Sequence, residues 1–498
     1  MRTKPNVILI TTDQQRYDSV GINGSGFIRT PNLDHLGREG AVFSRAYCPN
    51  TVCTPSRVSM LTGQHISRHG AYNVGTYAED YSIFLSQILR DNGYRTHHIG
   101  KAHWHPWQAD SPETAPVDEK CTPFRDLAGF ETAELSLGHA SWGVKGHYAA
   151  WIKQKGHLPE QFKVKALFND DPNETGDWEM PTALHSGTWL AERAISFLEE
   201  HQEASQGQPF FLNLGFQDPH HPHIVPYDYT NRVNPDEIPL PDTDLTGESG
   251  LVEHIPIFHN GTFSKSRFVG PFVIAGNGDH AWVPYFKDPQ KSKLTRAYYY
   301  TMVQLIDEQL GIILDQLDRL GLRDNTIVIF TSDHGEMLGD HSIGMKGPLV
   351  YEGVTHIPML IRYPEGFAPC QVTECVSLID LLPTILDFAG IDDHVRRDGI
   401  SLKPALQQGA ALPRSGVRIE YKEEPERIRF KCWVTPAWKL AVYNGETFGE
   451  LYDLRNDPGE KINLFEAAEY AGIRQQLLIE MISDMERSEP VSVRPCRV

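Results

Sequence analysis

The sequence predicts an α/β fold: a mostly parallel central sheet sandwiched between helices, followed by a smaller C-terminal antiparallel sheet with a helix. Three observations predict it. Over roughly the first 400 residues, short strand-like runs alternate with segments of helical periodicity. Polar clusters rich in Asp, Lys and His follow those runs at their carboxyl ends, where open α/β sheets bind ligands. After about residue 405 the pattern changes to short strands divided by turns. The expected division is a large α/β domain over 1–405 and an antiparallel subdomain over 406–498.

Each element has a local reason. Residues 6–12 form a short apolar run that ends at Asp13, which reads as a buried strand. Residues 81–92 place Ile83, Phe84, Ile88 and Leu89 at helical spacing, and Gly93 stops them. A strand over 94–99 leads into Gly100-Lys101-Ala102-His103. A long helix is expected over 182–201, and a strand over 209–216 runs into Asp218-Pro219-His220-His221-Pro222-His223. A second long helix covers 294–320, and a strand over 324–331 ends at Ser332-Asp333-His334-Gly335-Glu336. Segments 104–180 and 228–292 are rich in Gly, Pro, Asp and His and weak in periodicity, so they read as insertions over the sheet. Past 405, strands are expected at 428–434, 438–443 and 450–453, with a last helix at about 465–486.

Composition narrows the function. A chain of 498 residues with 40% hydrophobic content reads as globular. A net charge of −19 argues against nucleic-acid and acidic-membrane binding, because no broad basic field exists. An anionic substrate would need a local cluster of cations. The seven cysteines are scattered without a C-x-x-C pair, which fits a reducing compartment rather than a disulfide framework. No apolar run approaches a membrane span, and the start reads as a first strand, so the expected location is the cytoplasm, or outside it as a mature form without its leader.

The strand-end residues are candidates for a site, each with a blander alternative. Asp13, Gln14, Asp333 and His334 offer carboxylate, amide and imidazole donors suited to a divalent cation; an isolated loop acid is more often a cap. Lys101 and His103, two apart, would face one side of an extended segment and could bind an anion and move a proton. His220 sits in a proline-stiffened loop, where His221 and His223 read as spare surface histidines. A lone lysine such as Lys346 is usually solvated. Cys53 precedes Pro55, Ser56 and Arg57 at an apparent helix start, so it would face the positive end of a helix dipole beside a cation. An arbitrary cysteine is usually an inert buried thiol.

Cys53-Thr54-Pro55-Ser56-Arg57 followed by Leu61-Thr62-Gly63 resembles the type I sulfatase motif of the alkaline phosphatase superfamily. The resemblance covers nearly the whole chain, through Gly100-Lys101-Ala102-His103, Pro219-His220, Asp333-His334, Lys346 and residues 450–464. It implies an alkaline phosphatase-like fold and a sulfatase that acts through formylglycine, made from Cys53 by a maturation enzyme. It also implies one divalent cation held by Asp13, Gln14, residue 53, Asp333 and His334. Ca²⁺ is the first expectation, with Mn²⁺, Mg²⁺ and Zn²⁺ compatible. In the implied reaction, formylglycine hydrates to a diol, one hydroxyl attacks sulfur, and a sulfate hemiester forms on residue 53. Arg57 steadies the diol, Lys101 and Lys346 bind sulfate oxygens, His220 protonates the leaving alcohol, and His103 deprotonates the second hydroxyl so that sulfate is expelled.

Two departures from the family pattern matter. Thr12-Asp13-Gln14 supplies one acid and an amide where many sulfatases have two acids, and Thr51 replaces a usually smaller residue. Thr-Asp-Gln-Gln resembles phosphonate monoester and phosphodiester hydrolases as well as some bacterial carbohydrate sulfatases. The expected substrate is a small or terminal sulfated sugar, including glycosaminoglycan-derived ones, with Asn73 as a polar contact. Phosphonate or phosphodiester hydrolysis with the same nucleophile is the alternative. A non-catalytic binding protein on this scaffold and a phosphotransferase are weaker ones, and an oligomer is compatible with the sequence.

Overall fold

The computed structural model describes residues 4–106, 110–139, 144–162, 175–204, 207–241, 248–255, 286, 288–422 and 428–489. Its centre is a nine-stranded sheet in the order Cys370–Val372, Ala41–Phe43, Met359–Arg362, Thr326–Ser332, Asn6–Thr12, Phe210–Gly215, Arg95–Gly100, Phe130–Leu135, Phe124–Leu127. The five strands from Thr326–Ser332 to Phe130–Leu135 are mutually parallel. Met359–Arg362 and Phe124–Leu127 run against their neighbours.

Alternation along the central strands supplies both faces. Val7, Leu9, Phe211, Ile327 and Ile329 pack with Val58, Leu61, Leu382 and Ile385 on one side. Ile8, Ile10, Leu212, Leu214 and Val328 pack with Trp189, Phe197, Ile306 and Leu310 on the other. The helices Cys53–Thr62 and Leu381–Ala389 therefore cover one face, and Ser186–Ala204 and Pro289–Arg319 the other. This layering is what buried parallel strands require.

The register aligns the carboxyl ends. Thr12 pairs with Ser332, Thr11 with Gly215, and Gly100 with both Gly215 and Leu135. The residues that follow therefore leave the sheet in one row. Gly100 has φ 108°, and a Cβ there would lie 2.1 Å from the Gly215 carbonyl oxygen, so the approach of these two strands requires glycine.

Several boundaries differ from expectation. The 182–201 helix begins at Ser186, after a separate 3₁₀ turn at Thr182–Leu184. Residues 81–92 divide into a 3₁₀ turn, Tyr81–Ile83, and a helix, Leu85–Asp91. The second long helix starts earlier, at Pro289, where the Asp288 side chain accepts from the Gln290 and Lys291 amides at 2.9 and 3.3 Å. That cap leaves no periodic signal. Segment 104–180 is more than an insertion, because it contributes two strands to the central sheet.

The C-terminal sheet is antiparallel in sequential order, Val417–Lys422, Arg429–Val434, Trp438–Tyr443 and Gly449–Asp453. Its first strand was not anticipated from the sequence. The helix Ala471–Ser488 packs Leu477 and Met481 against Trp433, Leu440 and Leu451. Among the described residues, no helix is long and apolar enough to cross a membrane.

Candidate active site

Four adjacent parallel strands deliver the candidate residues to one place. Asp13 and Asp333 emerge side by side; the Asp333 amide donates to the Thr12 carbonyl at 3.2 Å, and the Gln14 amide donates to Asp333 Oδ1 at 3.0 Å. The Asp13 amide donates to the Asp218 carbonyl at 3.1 Å, which ties in the strand end that carries His220. Gln14 takes φ 71°, a left-handed turn that redirects its side chain.

Cys53 opens the helix Cys53–Thr62, with Pro55 in the first turn as the sequence indicates. Its Sγ lies 3.0 Å from Lys346 Nζ, 3.4 Å from His334 Nε2 and 3.8 Å from Asp13 Oδ1. The helix is anchored to the second acid, because Ser56 Oγ donates to the Asp333 carbonyl and Arg57 Nε to Asp333 Oδ2 at 2.7 Å. Arg57 also donates to the Lys101 carbonyl at 3.2 Å. The guanidinium thus holds Asp333 rather than reaching Cys53 Sγ. Burial pushes the Cys53 thiol up, with Lys346 pulling the other way.

Lys101 is fully buried and its ammonium bonds Asp13 Oδ2. Burial pushes it well below the usual lysine range, against the pull of Asp333. His103 does not sit on an extended segment: its φ is 59°. Its turn is fixed by buried Glu113, whose carboxylate accepts from the amides of His103, Trp104 and His105 at 3.0, 2.7 and 3.0 Å. Lys346 is not a solvated lysine. Its side chain is 14% exposed and its Nζ is 3.1 Å from His334 Nε2.

His220 Nδ1 lies 2.5 Å from the His221 carbonyl, which can only accept. Nδ1 therefore carries the proton, and Nε2 is the atom left for exchange. His221 is partly buried and stacks on His220, with ring centroids 4.0 Å apart. His223 is buried against Tyr299. Neither is the surface histidine the loop composition implies; the packing of the loop under the sheet end decides this. Asn73 lies on the loop after the Cys53 helix, where Thr76 Oγ1 donates to the Asn73 carbonyl at 3.0 Å.

His139 escaped the sequence reading. His139 stacks face to face on His220, with centroids 3.5 Å apart and planes at 6°, and its ring nitrogens are 3.4 and 3.5 Å from Lys101 Nζ. It follows the strand Phe130–Leu135 as Lys101 follows its own strand. That strand-end position was the available signal, hidden because this segment lacks a clear period. Glu336 was also passed over as part of a motif. It accepts from the Gln14 amide group and from the amides of Leu338 and Met345, and so shapes the loop that carries Lys346.

The donor set fits a divalent cation. Ligand atoms of Asp13, Cys53, Asp333 and His334 all lie within 4.8 Å of one another, and all four residues are buried. Gln14 Nε2 is held by Glu336, while Gln14 Oε1 is buried with no hydrogen-bond partner among the described residues. His334 Nδ1 is 2.9 Å from the Gly335 carbonyl, which leaves Nε2 toward the cluster. An orphaned amide oxygen beside two carboxylates and one imidazole is chemically suited to such an ion.

Comparison with known proteins agrees with this geometry. Residues 5–391 match the model of the family described as "Sulfatase", and residues 339–487 match "N-sulphoglucosamine sulphohydrolase, C-terminal". The chain is 29% identical to an arylsulfatase of Clostridium perfringens, covering 98% of this chain and 95% of that protein. It is 27% identical to an N-acetylglucosamine-6-O-sulfatase of Bacteroides thetaiotaomicron, covering 97% and 86%. The structure of a phosphonate monoester hydrolase of Agrobacterium radiobacter superposes with a TM-score of 0.78 at 26% identity, covering 99% of this chain and all (100%) of that one. With the family model spanning most of the sequence, and with its motif residues gathered at one sheet end, the chain belongs to the sulfatase family of the alkaline phosphatase superfamily and is a sulfuric ester hydrolase.

Proposed function

We propose that the protein hydrolyses the sulfate ester of a small or terminal sulfated carbohydrate, through formylglycine made from Cys53 and one divalent cation, Ca²⁺ before Mn²⁺, Mg²⁺ or Zn²⁺. One observation carries the reading: Lys346, His334 and Asp13 converge on the sulfur of residue 53 at the start of a buried helix. Asp13, Gln14, Asp333, His334 and residue 53 would hold the cation, which when bound supplies positive charge to the sulfate and acidifies a neighbouring hydroxyl. Formylglycine supplies, as its hydrate, two hydroxyls on one carbon, one to attack and one through which the ester is eliminated.

The chain's own side chains do the rest. Lys101 and Lys346 bind sulfate oxygens and take up the negative charge that grows on them. Arg57 fixes the orientation of Asp333. His220, pinned at Nδ1, carries the leaving-group proton at Nε2. His103 accepts the proton of the second hydroxyl, in a turn that Glu113 holds. Asn73 meets the substrate from the loop beyond the Cys53 helix. Cys53 is 2% exposed, so the maturation enzyme must reach it before the chain closes over it.

The phosphonate monoester reading has support of its own, in Thr12-Asp13-Gln14 and in the Agrobacterium radiobacter structure. Two measurements test the proposal. The mass of the Cys53 peptide, from a host that matures a control sulfatase, should show conversion of thiol to aldehyde. The matured protein should then turn over 4-nitrophenyl sulfate and a 6-sulfated glucosamine with higher kcat/KM than an aryl phosphonate. An unmodified Cys53 removes the nucleophile, and a preference for the phosphonate moves the protein to the other branch.

A further inference from the structure

A cavity of about 480 Å³ lies where the loop after the Cys53 helix meets the C-terminal sheet; Tyr72, Tyr421, Phe430, Lys422, Arg429 and Lys431 are in its wall. Its volume is in the range of small-ligand sites. Among the described residues its wall holds the cations Lys422, Arg429 and Lys431 and the acid Glu420. That acid is already engaged, by Arg418 at 3.0 Å, Lys431 at 2.5 Å and the Ser67 amide at 3.0 Å. The ammonium of Lys422 stands over the Tyr72 ring at 4.7 Å, and the Tyr421 and Phe430 rings stack at 5.3 Å with planes at 9°.

The cavity is joined to the catalytic helix through the backbone. The Glu420 amide donates to the Pro49 carbonyl at 3.0 Å, and Asn50 Nδ2 donates to the Glu420 carbonyl at 2.7 Å. Asn50 Oδ1 then accepts from the Val52 amide at 2.8 Å, one residue before Cys53.

We propose that this cavity binds an anionic sugar ring, sulfated or carboxylated, other than the one whose ester is cleaved. The partly buried Tyr72 ring offers a face to the C–H side of a sugar, and the Lys422 ammonium meets its anionic substituent. The inference rests on the carbohydrate reading above. The ring could belong to the next unit of the substrate or to a separate saccharide.

The experiment measures binding by calorimetry in the Cys53→Ala protein, so the probe is not consumed and the result does not depend on turnover. The probes are a heparin-derived sulfated tetrasaccharide and glucosamine 6-sulfate. Adding Lys422→Glu should weaken the tetrasaccharide by at least about tenfold, the loss of one charge-assisted contact, and Lys422→Gln should weaken it less. The single variant Lys422→Glu in matured protein should keep 4-nitrophenyl sulfate turnover. Loss confined to the tetrasaccharide assigns the cavity to the extended substrate. A Lys422-dependent second site for the monosaccharide assigns it to a separate saccharide. Affinity for both probes unchanged by Lys422→Glu, in protein with an unaltered melting temperature, overturns the proposal. Absence of any sulfate turnover would instead count against the enzymatic reading and leave this binding result standing.

Discussion

The protein buries two clusters of charge, and they differ in kind. At the seam with the C-terminal sheet, Lys439 forms ion pairs with Glu352 at 2.8 Å and with Glu460 at 2.6 Å, and the Glu352 amide donates to Glu460. Burial opposes the Lys439 charge, but Glu352 and Glu460 outweigh it and hold the lysine above its usual range. Glu352 is held below its usual range by Lys439 despite burial, while burial pushes Glu460 up to about 7. The seam therefore matches its own charge, with Lys439 between two carboxyls and His356 beside Glu352 at 2.9 Å. Around Cys53, by contrast, Lys101 and Lys346 stand with Arg57 against two aspartates. Lys101 is driven well below its usual range by burial, and Gln14 Oε1 has no partner among the described residues. The seam is a finished structural element. The Cys53 cluster fits the anion and the cation of the proposed reaction. A buried ion cluster is thus a sign of function when its donors and charges are left over, and of architecture when they are matched.

This contrast can be broken, and the largest effect is expected at the proposed nucleophile. Cys53→Ala should lower kcat by at least about 10⁴-fold while the melting temperature stays within roughly 4 °C. Retained turnover would sink the assignment of residue 53. Lys439→Met should do the reverse. It leaves the buried Glu460 carboxyl without its cation and should cost about 3–5 kcal/mol in denaturant unfolding, with kcat per folded molecule kept. A loss of kcat at full stability would show that the seam is not merely structural.

Lys346→Ala should sharpen the difference from the catalytic side, lowering kcat by about 10²–10³ with little change in stability, measured in steady-state kinetics. Glu460→Gln tests the seam by pH. The folded pKa of Glu460 lies above its ordinary 4.5, at about 7, so the native state holds that proton longer than the unfolded chain. Its contribution to stability therefore falls as pH rises from about 4.5 to 7, by on the order of 1–3 kcal/mol. Glu460→Gln should flatten that slope in melts across the window; an unchanged slope would place the titration elsewhere. The smallest effect is expected from His139→Ala, which releases the stack on His220. It should lower kcat/KM about tenfold for a sugar sulfate, whose alcohol leaves only with a proton, and within about threefold for 4-nitrophenyl sulfate. Equal losses on both would make His139 a packing residue only.

Much of the fold was legible because buried parallel strands are short and apolar. Asn6–Thr12, Phe210–Gly215 and Thr326–Ser332 advertise themselves in this way, the first and last also by β-branched residues, and each is fully buried. Phe130–Leu135 does not: its FETAEL sequence places charge next to apolar residues at the sheet margin, and with it His139 was lost from view. The start of the Pro289–Arg319 helix was missed for a related reason, since a side-chain cap and not periodicity sets it.

By itself, the sequence determined the family chemistry, the order of the strands' polar ends and the candidate nucleophile, since motif spacing is a property of the chain. Only the tertiary structure decided which of those groups meet. The in-register pairing of Thr12 with Ser332 places Asp13 beside Asp333, and the loop shaped by Glu336 turns a nominally solvated Lys346 toward Cys53. It also gave Arg57 to Asp333, brought His139 onto His220 and joined Lys422 to Tyr72. Such pairings link residues tens to hundreds of positions apart. Local propensity does not encode them; they exist because closing the sheet and burying both of its faces leaves those side chains one place to go.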